Sequence, residues 1–502
     1  MRLSALAPEL IPPGHPAADV EVTALTSDSR AAGPGSLFAG LPGTRVDGAS
    51  FVPAVAARGA AAALIGTGHD LGDVAIPVIA VDDPRHWLAV LAARFHGAQP
   101  STIVAVTGTS GKTSVAAFVR QIFDFAGRPA ASLGTIGIVT ARSETYGSLT
   151  TPDPITLAEL LAGLKRDGYD HVAIEASSHG LDQRRLDGVR IAAAGFTNLS
   201  RDHMDYHPTV EHYLAAKLRL FDTLLPPAAP AVIDVDSLEG LCAAEVAAAH
   251  GHPVISVGTA GATLRLVANR ANGWRQSLTI ATPEGEFAVD LPLLGTFQVQ
   301  NALVAAGLAI AAGVPVATAL KALETLKGAS GRLEYVGSNA AGAPVFVDYA
   351  HKPDALEKAL AALKPFAAGR LISVFGCGGD RDPGKRPMMG RISTDGADVS
   401  IVTDDNPRSE DAAEIRRQIL AAAPGAIEIG DRAEAIRAAI AMAGAGDIVM
   451  IAGKGHEPGQ IVAERDASGA VIRDATGKPR LVTLPFSDHE AARACLPGTD
   501  AP

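Results

Sequence analysis

A glycine-rich segment that carries a lysine and hydroxyl residues is the stretch best suited to chemistry. Its residues are Gly108, Thr109, Ser110, Gly111, Lys112, Thr113 and Ser114. Apolar β-branched residues precede the segment and a helical pattern follows it, which is the context that a phosphate-binding loop requires. In such a loop, backbone N–H groups cradle a polyphosphate, the lysine reaches its terminal phosphates and the threonine binds Mg²⁺. Val106 stands where the longer consensus has glycine, and an ordinary glycine turn is the alternative.

Further candidate residues lie in the two hundred residues around this loop. Glu175 ends a predicted strand, and ligands of open α/β sheets bind beyond the carboxyl ends of strands. We therefore expect Glu175 to face the loop and hold Mg²⁺, with a surface carboxylate as the alternative. Two histidines and two aspartates occur between residues 196 and 207, but their spacing matches no common zinc pattern. Lys217 lies in a predicted helix, where a lone lysine is usually solvated.

The last third of the sequence alternates strands and helices, and its strands end in polar, glycine-rich loops. Three such strands are predicted at residues 371–375, 399–403 and 447–452. The carboxyl ends of parallel strands meet at one edge of a sheet, so the three loops together predict a ligand site. Turn chemistry is the alternative for each loop taken alone.

Composition narrows the class of protein. The 502 residues suggest about three domains, and hydrophobic residues make up 47% of them. A net charge of −11 without a long Lys/Arg run argues against nucleic acid and anionic membranes as partners. The 3 cysteines lie far apart, which predicts no disulfide framework and a reducing compartment. We find neither a signal-like N-terminus nor a membrane-length apolar segment, so we expect a cytoplasmic protein without membrane insertion.

We expect an α/β protein with domain boundaries near residues 98 and 333. Residues 1–98 would form a small α/β domain, 99–333 the domain with the phosphate-binding loop, and 334–502 a third domain. The apolar pattern also predicts a helix at residues 54–63. Only strands and turns are expected over residues 230–290.

Seven motifs stand in the order found in the Mur ligases, which this sequence resembles nearly from end to end. Besides the phosphate-binding loop they are EASSHG at 175–180, TNLSRDH at 197–203, DYAH at 348–351, GGDR at 378–381, DNPR at 405–408 and GKGHE at 453–457. The resemblance is to the members that add diaminopimelate. It implies an N-terminal UDP-sugar-binding domain, a central P-loop parallel-sheet ATPase domain and a C-terminal Rossmann-like domain that binds the amino acid.

The resemblance implies an ATP-dependent ligase of cytoplasmic peptidoglycan precursor synthesis, acting as a monomer with ATP and Mg²⁺. Its substrates would be UDP-MurNAc-L-Ala-D-Glu and meso-diaminopimelate, joined through an acyl phosphate. Folylpolyglutamate synthetase is the nearest alternative, but it gives no role to Ser27, Ser29 or residues 405–408. A P-loop GTPase is the other alternative, and its base-reading motif is only half matched at residues 351–354.

The resemblance also implies a role for individual residues. Catalysis would fall to Lys112, Glu175, His203 and Lys217, and the Mg²⁺ ligands would be Thr113, Glu175, His203 and Lys217 as its carbamate. ATP contacts would come from the phosphate-binding loop with Asn301, Arg332 and Asp348. Contacts to UDP-MurNAc-dipeptide would come from Ser27, Ser29, Thr44, Arg45, Val46, Thr150, Thr151, Ser177, Gln183 and Arg185. Contacts to diaminopimelate would come from Arg381, Asp405, Asn406, Pro407, Arg408, Gly453 and Glu457. The Arg408 guanidinium would bind the far carboxylate that lysine lacks.

Overall fold

A computed structural model describes residues 1–12, 14–43, 46–145, 147, 149–272 and 275–497. The chain forms two compact units. The first comprises Met1–Val267, Ile280–Phe287 and Gln300–Ala322, and the second comprises the remaining residues. The expected α/β class is confirmed, whereas the division into three domains stays a prediction. Within the described residues, every helix is too short or too polar to cross a lipid bilayer.

The N-terminal part of the first unit is a four-stranded parallel sheet with helices. Its elements are α1 (Leu3–Leu6), β1 (Ala24–Thr26), β2 (Ser36–Gly40), α2 (Val52–Ala57), β3 (Ala62–Gly66), β4 (Val78–Val81) and α3 (Pro84–His96). The helix predicted at residues 54–63 is therefore wrong beyond residue 57. Gly59 has a φ of +87°, which ends the helix, and the apolar run after it is buried as a strand.

The central part of the chain contains a larger sheet. Its elements are β5 (Thr102–Thr107), α4 (Lys112–Phe125), β6 (Ala130–Gly134), β7 (Gly137–Thr140), β8 (Glu144–Thr145), α5 (Pro154–Arg166), β9 (His171–Glu175), α6 (Ser178–Asp182), β10 (Ile191–Phe196), α7 (Val210–Arg219), β11 (Ala231–Asp234), α8 (Leu238–Ala249), β12 (Val254–Gly258), β13 (Leu264–Asn272), β14 (Arg275–Thr282), β15 (Gly285–Leu291), α9 (Thr296–Ala311) and α10 (Val316–Ala322). Within the first unit the strand order is β12-β11-β10-β5-β9-β6-β7-β8. All pairs from β12 to β6 are parallel, as expected.

This strand order decides what surrounds the phosphate-binding loop. The loop follows β5, and β5 lies between β9 and β10. The segments that follow β9 and β10 therefore flank the loop at the carboxyl edge of the sheet. Strand β5 is buried on both faces, with Ile103 and Ala105 in one large core cluster and Val104 and Val106 each 1% exposed on the other face, as a parallel strand with a near-continuous apolar sequence should be.

Helix α8 corrects the expectation of only strands and turns over residues 230–290. The Ser237 hydroxyl accepts a hydrogen bond from Gly240 N at 3.0 Å, which caps the first turn. Alanine-rich sequence then continues the helix to Ala249. The helix lacks a clear apolar stripe, so periodicity did not indicate it.

The second unit carries a six-stranded sheet in the order β16-β17-β21-β18-β19-β20. Its elements are β16 (Glu334–Ser338), β17 (Pro344–Asp348), α11 (Pro353–Leu363), β18 (Leu371–Phe375), α12 (Lys385–Gly396), β19 (Val399–Val402), α13 (Ala412–Leu420), β20 (Ile427–Glu428), α14 (Arg432–Met442), β21 (Ile448–Ala452), β22 (Gly459–Ala463), β23 (Leu481–Pro485) and α15 (Asp488–Arg493). Only the β16–β17 pair of this sheet is antiparallel. Helices pack on both faces of the sheet, and each face has its own buried apolar cluster. The polar loops after β18, β19 and β21 share one edge, as the sequence predicted, and the loop after β17 lies at the same edge.

Candidate active site

The phosphate-binding loop joins β5 to α4 through two glycines in the left-handed region. Gly108 has a φ of +147° and Gly111 a φ of +87°. A side chain at Gly108 would clash with the Thr197 hydroxyl, and one at Gly111 would clash with the Asn301 side chain. Glycine at both positions is therefore required by conformation and by space. This arrangement also brings Asn301, an expected ATP contact, beside the loop.

The segment after β10 holds the loop in shape. The Ser110 N–H and hydroxyl both donate to Asn198 Oδ1 at 3.1 Å, and Thr109 N donates to Asn198 O at 2.9 Å. The Thr197 hydroxyl donates to Ser110 O at 2.7 Å. Lys112 Nζ donates to Gly108 O at 2.8 Å and to Thr109 O at 2.9 Å. The loop is thus preorganised by the motif that begins at Thr197.

Glu175 ends β9 beside the first turn of α4. Only 1% of it is exposed, so the alternative of a surface carboxylate is wrong. Its Oε2 accepts from the Thr113 hydroxyl at 3.0 Å, and its Oε1 accepts from Thr135 N at 2.7 Å. None of the described side chains forms an ion pair with it. A buried carboxylate without a cation fits a site that binds Mg²⁺, and Thr113 supplies a neighbouring hydroxyl oxygen.

Lys217 points from α7 to the same loop. Its side chain is 1% exposed and Nζ donates to Gly108 O at 2.7 Å, so the expectation of a solvated lysine is wrong. Nζ also lies 4.3 Å from the centre of the Tyr213 ring. Burial lowers the pKa of Lys217 well below its usual value, and the positive charge of Lys112 lowers it further. The structure therefore favours a neutral amine at this position.

His203 lies on the segment between β10 and α7, with a φ of +56°. Its ring centre is 4.9 Å from that of His179 and 6.2 Å from that of Tyr213, the residue that also contacts Lys217. Its Nε2 lies 3.7 Å from a carboxylate oxygen of Asp202. Across the described ranges, no three His, Cys, Asp or Glu side chains cluster as a ready-made metal site.

Five of the residues expected to bind the UDP-MurNAc-dipeptide lie together. The Thr151 hydroxyl is within 3.0 Å of Ser177 Oγ and donates to Glu175 O at 2.8 Å. Arg185 donates to Thr151 O at 2.5 Å and to Gln183 Oε1 at 2.8 Å. Thr150 joins the same region because Thr135 Oγ1 lies 3.0 Å from its hydroxyl and 3.2 Å from Glu175 Oε2. This network therefore adjoins the buried carboxylate.

The other expected UDP-sugar contacts lie in the N-terminal sheet region. Ser27 is exposed and Ser29 half-buried in the turn after β1, where Arg58 donates to Ser29 O. Val46 is 55% exposed. Thr44 and Arg45 lie outside the described residues. Among the described residues, no hydrogen bond joins these side chains to the Thr151 network.

The remaining expected ATP contacts belong to the second unit. Asp348 ends β17, and its Oδ2 accepts from Leu333 N at 2.6 Å. Burial raises the pKa of Asp348 to about 6, against the opposing influence of Arg332. The Arg332 guanidinium stacks 5.0 Å from the centre of the Tyr349 ring. Arg332 Nε is buried and donates to no described acceptor, which suits a side chain that awaits an anionic or polar ligand.

Arg408 occupies the loop after β19 in a strained conformation. Its φ is +51°, which is uncommon for a non-glycine residue. The guanidinium donates to Gly379 O at 2.9 Å, and Gly379 N donates to Asn406 O of the Arg408 loop at 2.9 Å. Arg408 N donates to Ile461 O at 3.0 Å, and a parallel bridge between Arg408 and Val462 attaches the loop to β22. The loop that carries Arg381 is thereby held against the loop that carries Arg408.

The other expected amino-acid contacts converge on the loop after β21. Asp405 and Asn406 are buried, and Asn406 Nδ2 donates to Glu457 Oε2 at 2.9 Å. Gly453 has a φ of +124°, and a Cβ there would lie 3.7 Å from Asp405 Oδ2. Pro407 is buried in the same loop. The structure thus gathers two carboxylates, an amide and a guanidinium around one edge of the sheet.

Several residues near these sites had no assigned role in the sequence analysis. Thr135 and Tyr213 contact Glu175 and Lys217, and no local pattern marks them. Arg432 is buried in an ion pair with Asp488, with N–O distances of 2.7 Å. It also donates to Ala452 O at 3.0 Å, which holds the end of β21. Its partner is 56 positions away in the chain, so spacing could not indicate the pair.

Three family models match the chain in order. The model described as "Mur ligase family, catalytic domain" matches residues 21–96, "Mur ligase middle domain" matches 106–309, and "Mur ligase, glutamate ligase domain" matches 331–455. These ranges contain the phosphate-binding loop and most of the loops described above.

Curated proteins and solved structures agree with these models. A UDP-N-acetylmuramoyl-L-alanyl-D-glutamate–2,6-diaminopimelate ligase from Agrobacterium fabrum is 56% identical, over 95% of this chain and 94% of its own. A solved structure of a ligase of the same name is 32% identical with a TM-score of 0.73, and covers 99% of this chain and 98% of its own. The MurF ligase from Thermotoga maritima, solved in complex with ADP, shares the fold at 17% identity and a TM-score of 0.57, covering 86% of this chain and 94% of its own. The chain belongs to the Mur ligase family.

Proposed function

We propose that this protein is an ATP-dependent ligase that joins meso-diaminopimelate to UDP-MurNAc-L-Ala-D-Glu during cytoplasmic peptidoglycan precursor synthesis. The observation that carries the proposal is the 56% identity, over 95% of the chain, to a relative named for this reaction. The local geometry supports it, because the first unit contains a phosphate-binding loop and the second a pocket with charges of both signs.

The reaction begins with phosphoryl transfer. The D-glutamate carboxylate attacks the γ-phosphorus of ATP, the bond to the β-phosphate oxygen breaks, and an acyl phosphate and ADP result. Lys112 and the loop N–H groups stabilise the charge on the phosphates, and Asn301, Arg332 and Asp348 bind the rest of ATP. An uncharged amine of diaminopimelate then attacks the acyl carbon. Phosphate leaves and the nitrogen loses a proton.

Mg²⁺ is part of the proposal. Thr113, Glu175, His203 and Lys217 as its carbamate would hold it, and the ion would supply positive charge beside the phosphates. The support is the fit of Glu175, which is buried and has no cationic partner among the described residues. The hydroxyl of Thr113, at 3.0 Å, provides a second hard oxygen.

Lys217 is proposed to carry a carbamate. Its neutral amine nitrogen attacks the carbon of CO₂, a C–N bond forms as one C–O π bond opens, and one proton is released to solvent, so an anionic oxygen ligand replaces the amine. The attack requires an unprotonated amine. The lowered pKa of buried Lys217 supports that requirement at neutral pH.

The choice of diaminopimelate over lysine follows from charge. The far end of diaminopimelate carries an ammonium and a carboxylate, whereas the far end of lysine carries only an ammonium. A pocket for diaminopimelate needs acidic groups for the ammonium and a guanidinium for the carboxylate. Asp405 and Glu457 offer the acidic groups, and Arg408 offers the guanidinium. Arg381, Asn406, Pro407 and Gly453 complete the proposed pocket.

We further propose that the three expected domains each bring one ligand. Residues 1–98 bind the UDP-sugar through Ser27, Ser29, Thr44, Arg45 and Val46. Residues 99–333 bind ATP and, through Thr150, Thr151, Ser177, Gln183 and Arg185, the rest of the nucleotide substrate. Residues 334–502 bind the amino acid, and the protein acts as a monomer.

Phosphate release is the direct test. We expect ATP-dependent release only when UDP-MurNAc-L-Ala-D-Glu and meso-diaminopimelate are both present, with a product heavier than the nucleotide substrate by diaminopimelate less water. Release with a folate and glutamate instead would favour folylpolyglutamate synthetase. Hydrolysis of GTP without either substrate would favour a GTPase.

A further inference from the structure

Lys454 belongs to the GKGHE motif, yet the proposed reaction gives it no role. Its side chain is fully buried at the end of β21, where an ammonium loses its hydration and needs close partners. Three polar side chains face its Nζ: Asn406 Oδ1 at 2.9 Å, Glu457 Oε2 at 3.4 Å and Asp405 Oδ1 at 3.6 Å. An ammonium has three N–H donors, so one lysine can address all three groups.

Lys454 also decides how the amide of Asn406 is turned. Two donors, Lys454 Nζ and Ile461 N, approach Asn406 Oδ1 at 2.9 Å. The oxygen must therefore face them, and Nδ2 faces Glu457 Oε2. Without the lysine, one of the three interactions that fix this orientation would be lost.

The cation also sets the charge of the cluster. Asp405 is 6% exposed and its Oδ1 is buried without a hydrogen-bond donor among the described residues, with Lys454 Nζ as its nearby cation. The Arg432 guanidinium on α14 also acts on both carboxylates, but it is paired with Asp488, so two carboxylates on one lysine leave the cluster one net negative charge. That charge suits a single ammonium from a ligand, whereas two uncompensated carboxylates would compete for a proton.

We propose that Lys454 is a positioning residue for the far end of the incoming diamino acid, and that it acts on the groups that bind the ammonium of that end. Its ammonium holds Asp405, Asn406 and Glu457 in a fixed array and reduces their joint charge to one. The inference rests on the proposed amino-acid pocket and extends it. Lys454 acts through the residues that contact the substrate and does not itself contact it.

Lys454→Met tests this directly, because it removes the ammonium and keeps an unbranched side chain. We expect the KM for diaminopimelate to rise at least about 30-fold, with kcat and the KM for ATP within about threefold of wild type. We also expect the acidic limb of the pH profile of kcat/KM for diaminopimelate to move to higher pH, because the lost ammonium no longer stabilises the two carboxylate anions. An unchanged KM and an unchanged limb would overturn the proposal.

Arg408→Ala, measured in parallel, separates this inference from the proposed pocket. If Arg408→Ala leaves the KM for diaminopimelate unchanged, the assignment of the pocket is wrong. If Arg408→Ala raises it while Lys454→Met does not, the pocket stands and the role of Lys454 is wrong.

The double variant K454M/E457Q removes one charge of each sign and covers the case in which Lys454→Met does not fold. We expect its acidic limb to return to the wild-type position while its KM stays above that of Glu457→Gln. A limb displaced as far as in Lys454→Met would contradict the charge-balancing role. Equal KM values for K454M/E457Q and Glu457→Gln would contradict the positioning role.

Discussion

The phosphate-binding region of the first unit and the proposed amino-acid pocket of the second differ in whether their buried charges have oppositely charged partners. At the phosphate loop, Lys112 and Lys217 both donate to the carbonyl of Gly108, while buried Glu175 has no cationic partner among the described residues. In the pocket, one buried lysine, Lys454, faces two carboxylates and an amide. The first region therefore leaves a buried carboxylate without an opposite charge and holds one of its two lysines as a neutral amine, whereas the second pairs opposite charges.

This difference indicates which kind of ligand each region is suited to bind. A buried carboxylate that lacks a cation is stabilised when a metal ion binds, and Lys112 with the loop N–H groups can stabilise phosphate charge, so the first region suits polyphosphate and metal. Charges that are already paired fix side chains in place, so the second region suits selection among similar amino acids. We therefore expect variants in the first region to abolish turnover and variants in the second to change affinity and selectivity.

The largest effect is expected for Lys112→Ala. The variant should lose at least ~10³-fold in the rate of phosphate release, because it removes charge stabilisation from the transferred phosphoryl group. Its thermal midpoint should stay close to that of wild type, since Lys112 is the first residue of α4 and alanine is a good helix former. Lys165→Ala, which changes a partly exposed lysine on α5, should retain full activity. Wild-type turnover in Lys112→Ala would show that the loop does not bind the reacting phosphates.

Lys217→Ala should also be nearly inactive, since it removes the proposed carbamate. Acetate or formate should restore part of the activity by supplying an anionic oxygen in the vacated space. The same acids should not rescue Lys112→Ala, which makes that variant the matched control. Full wild-type activity after rigorous removal of CO₂ would count against a carbamate at Lys217.

Arg408→Ala should alter selectivity more than turnover. Wild type is expected to prefer meso-diaminopimelate to lysine by ~10³-fold or more in kcat/KM, because lysine would leave the guanidinium without a carboxylate. The variant should lose most of this preference through a higher KM for diaminopimelate. Arg417→Ala, at an arginine that is 71% exposed, is the control and should behave as wild type. Competition between the two amino acids measures the ratio, and equal use of lysine by wild type would refute this role.

The smallest effect concerns a buried carboxylate outside both regions. Asp234 ends β11 in the same sheet as Glu175, and burial raises its pKa to about 6 from its ordinary value of 3.8. Between about pH 4 and 6, the folded protein therefore keeps a proton on Asp234 that the unfolded chain has already released. Wild type should lose stability as pH rises through this window, because the folded state must then hold a buried anion.

Asp234→Asn removes this penalty. Its free energy of unfolding should exceed that of wild type by about 2 kcal/mol at pH 8, and the difference should vanish as pH falls through 6 towards 4. Urea denaturation at several pH values measures it. Catalytic activity should be unchanged, whereas Glu175→Gln should be inactive. A stabilising Glu175→Gln with full activity would mean that Glu175 does not serve the reaction.

The sequence predicted well those features that depend on neighbouring residues. The phosphate-binding loop needs glycine at 108 and 111 for conformations that other residues avoid, so a short pattern sufficed. The loops after β18, β19 and β21 were predicted to share one edge because parallel strands present their carboxyl ends together. The roles of individual site residues came from the resemblance and stay predictions.

The tertiary structure alone decided which of these residues are buried and what they face. Lys217 lies on a helix whose sequence suggested a solvated lysine, yet the fold of the first unit buries it against Gly108 O. Lys454 and Arg432 meet partners that are far away in the sequence, at Asn406 and Asp488. Periodicity specifies which face of an element is apolar, but strand order specifies which elements meet. Charge pairing and desolvation depend on which elements meet, so they could be seen only in the folded chain.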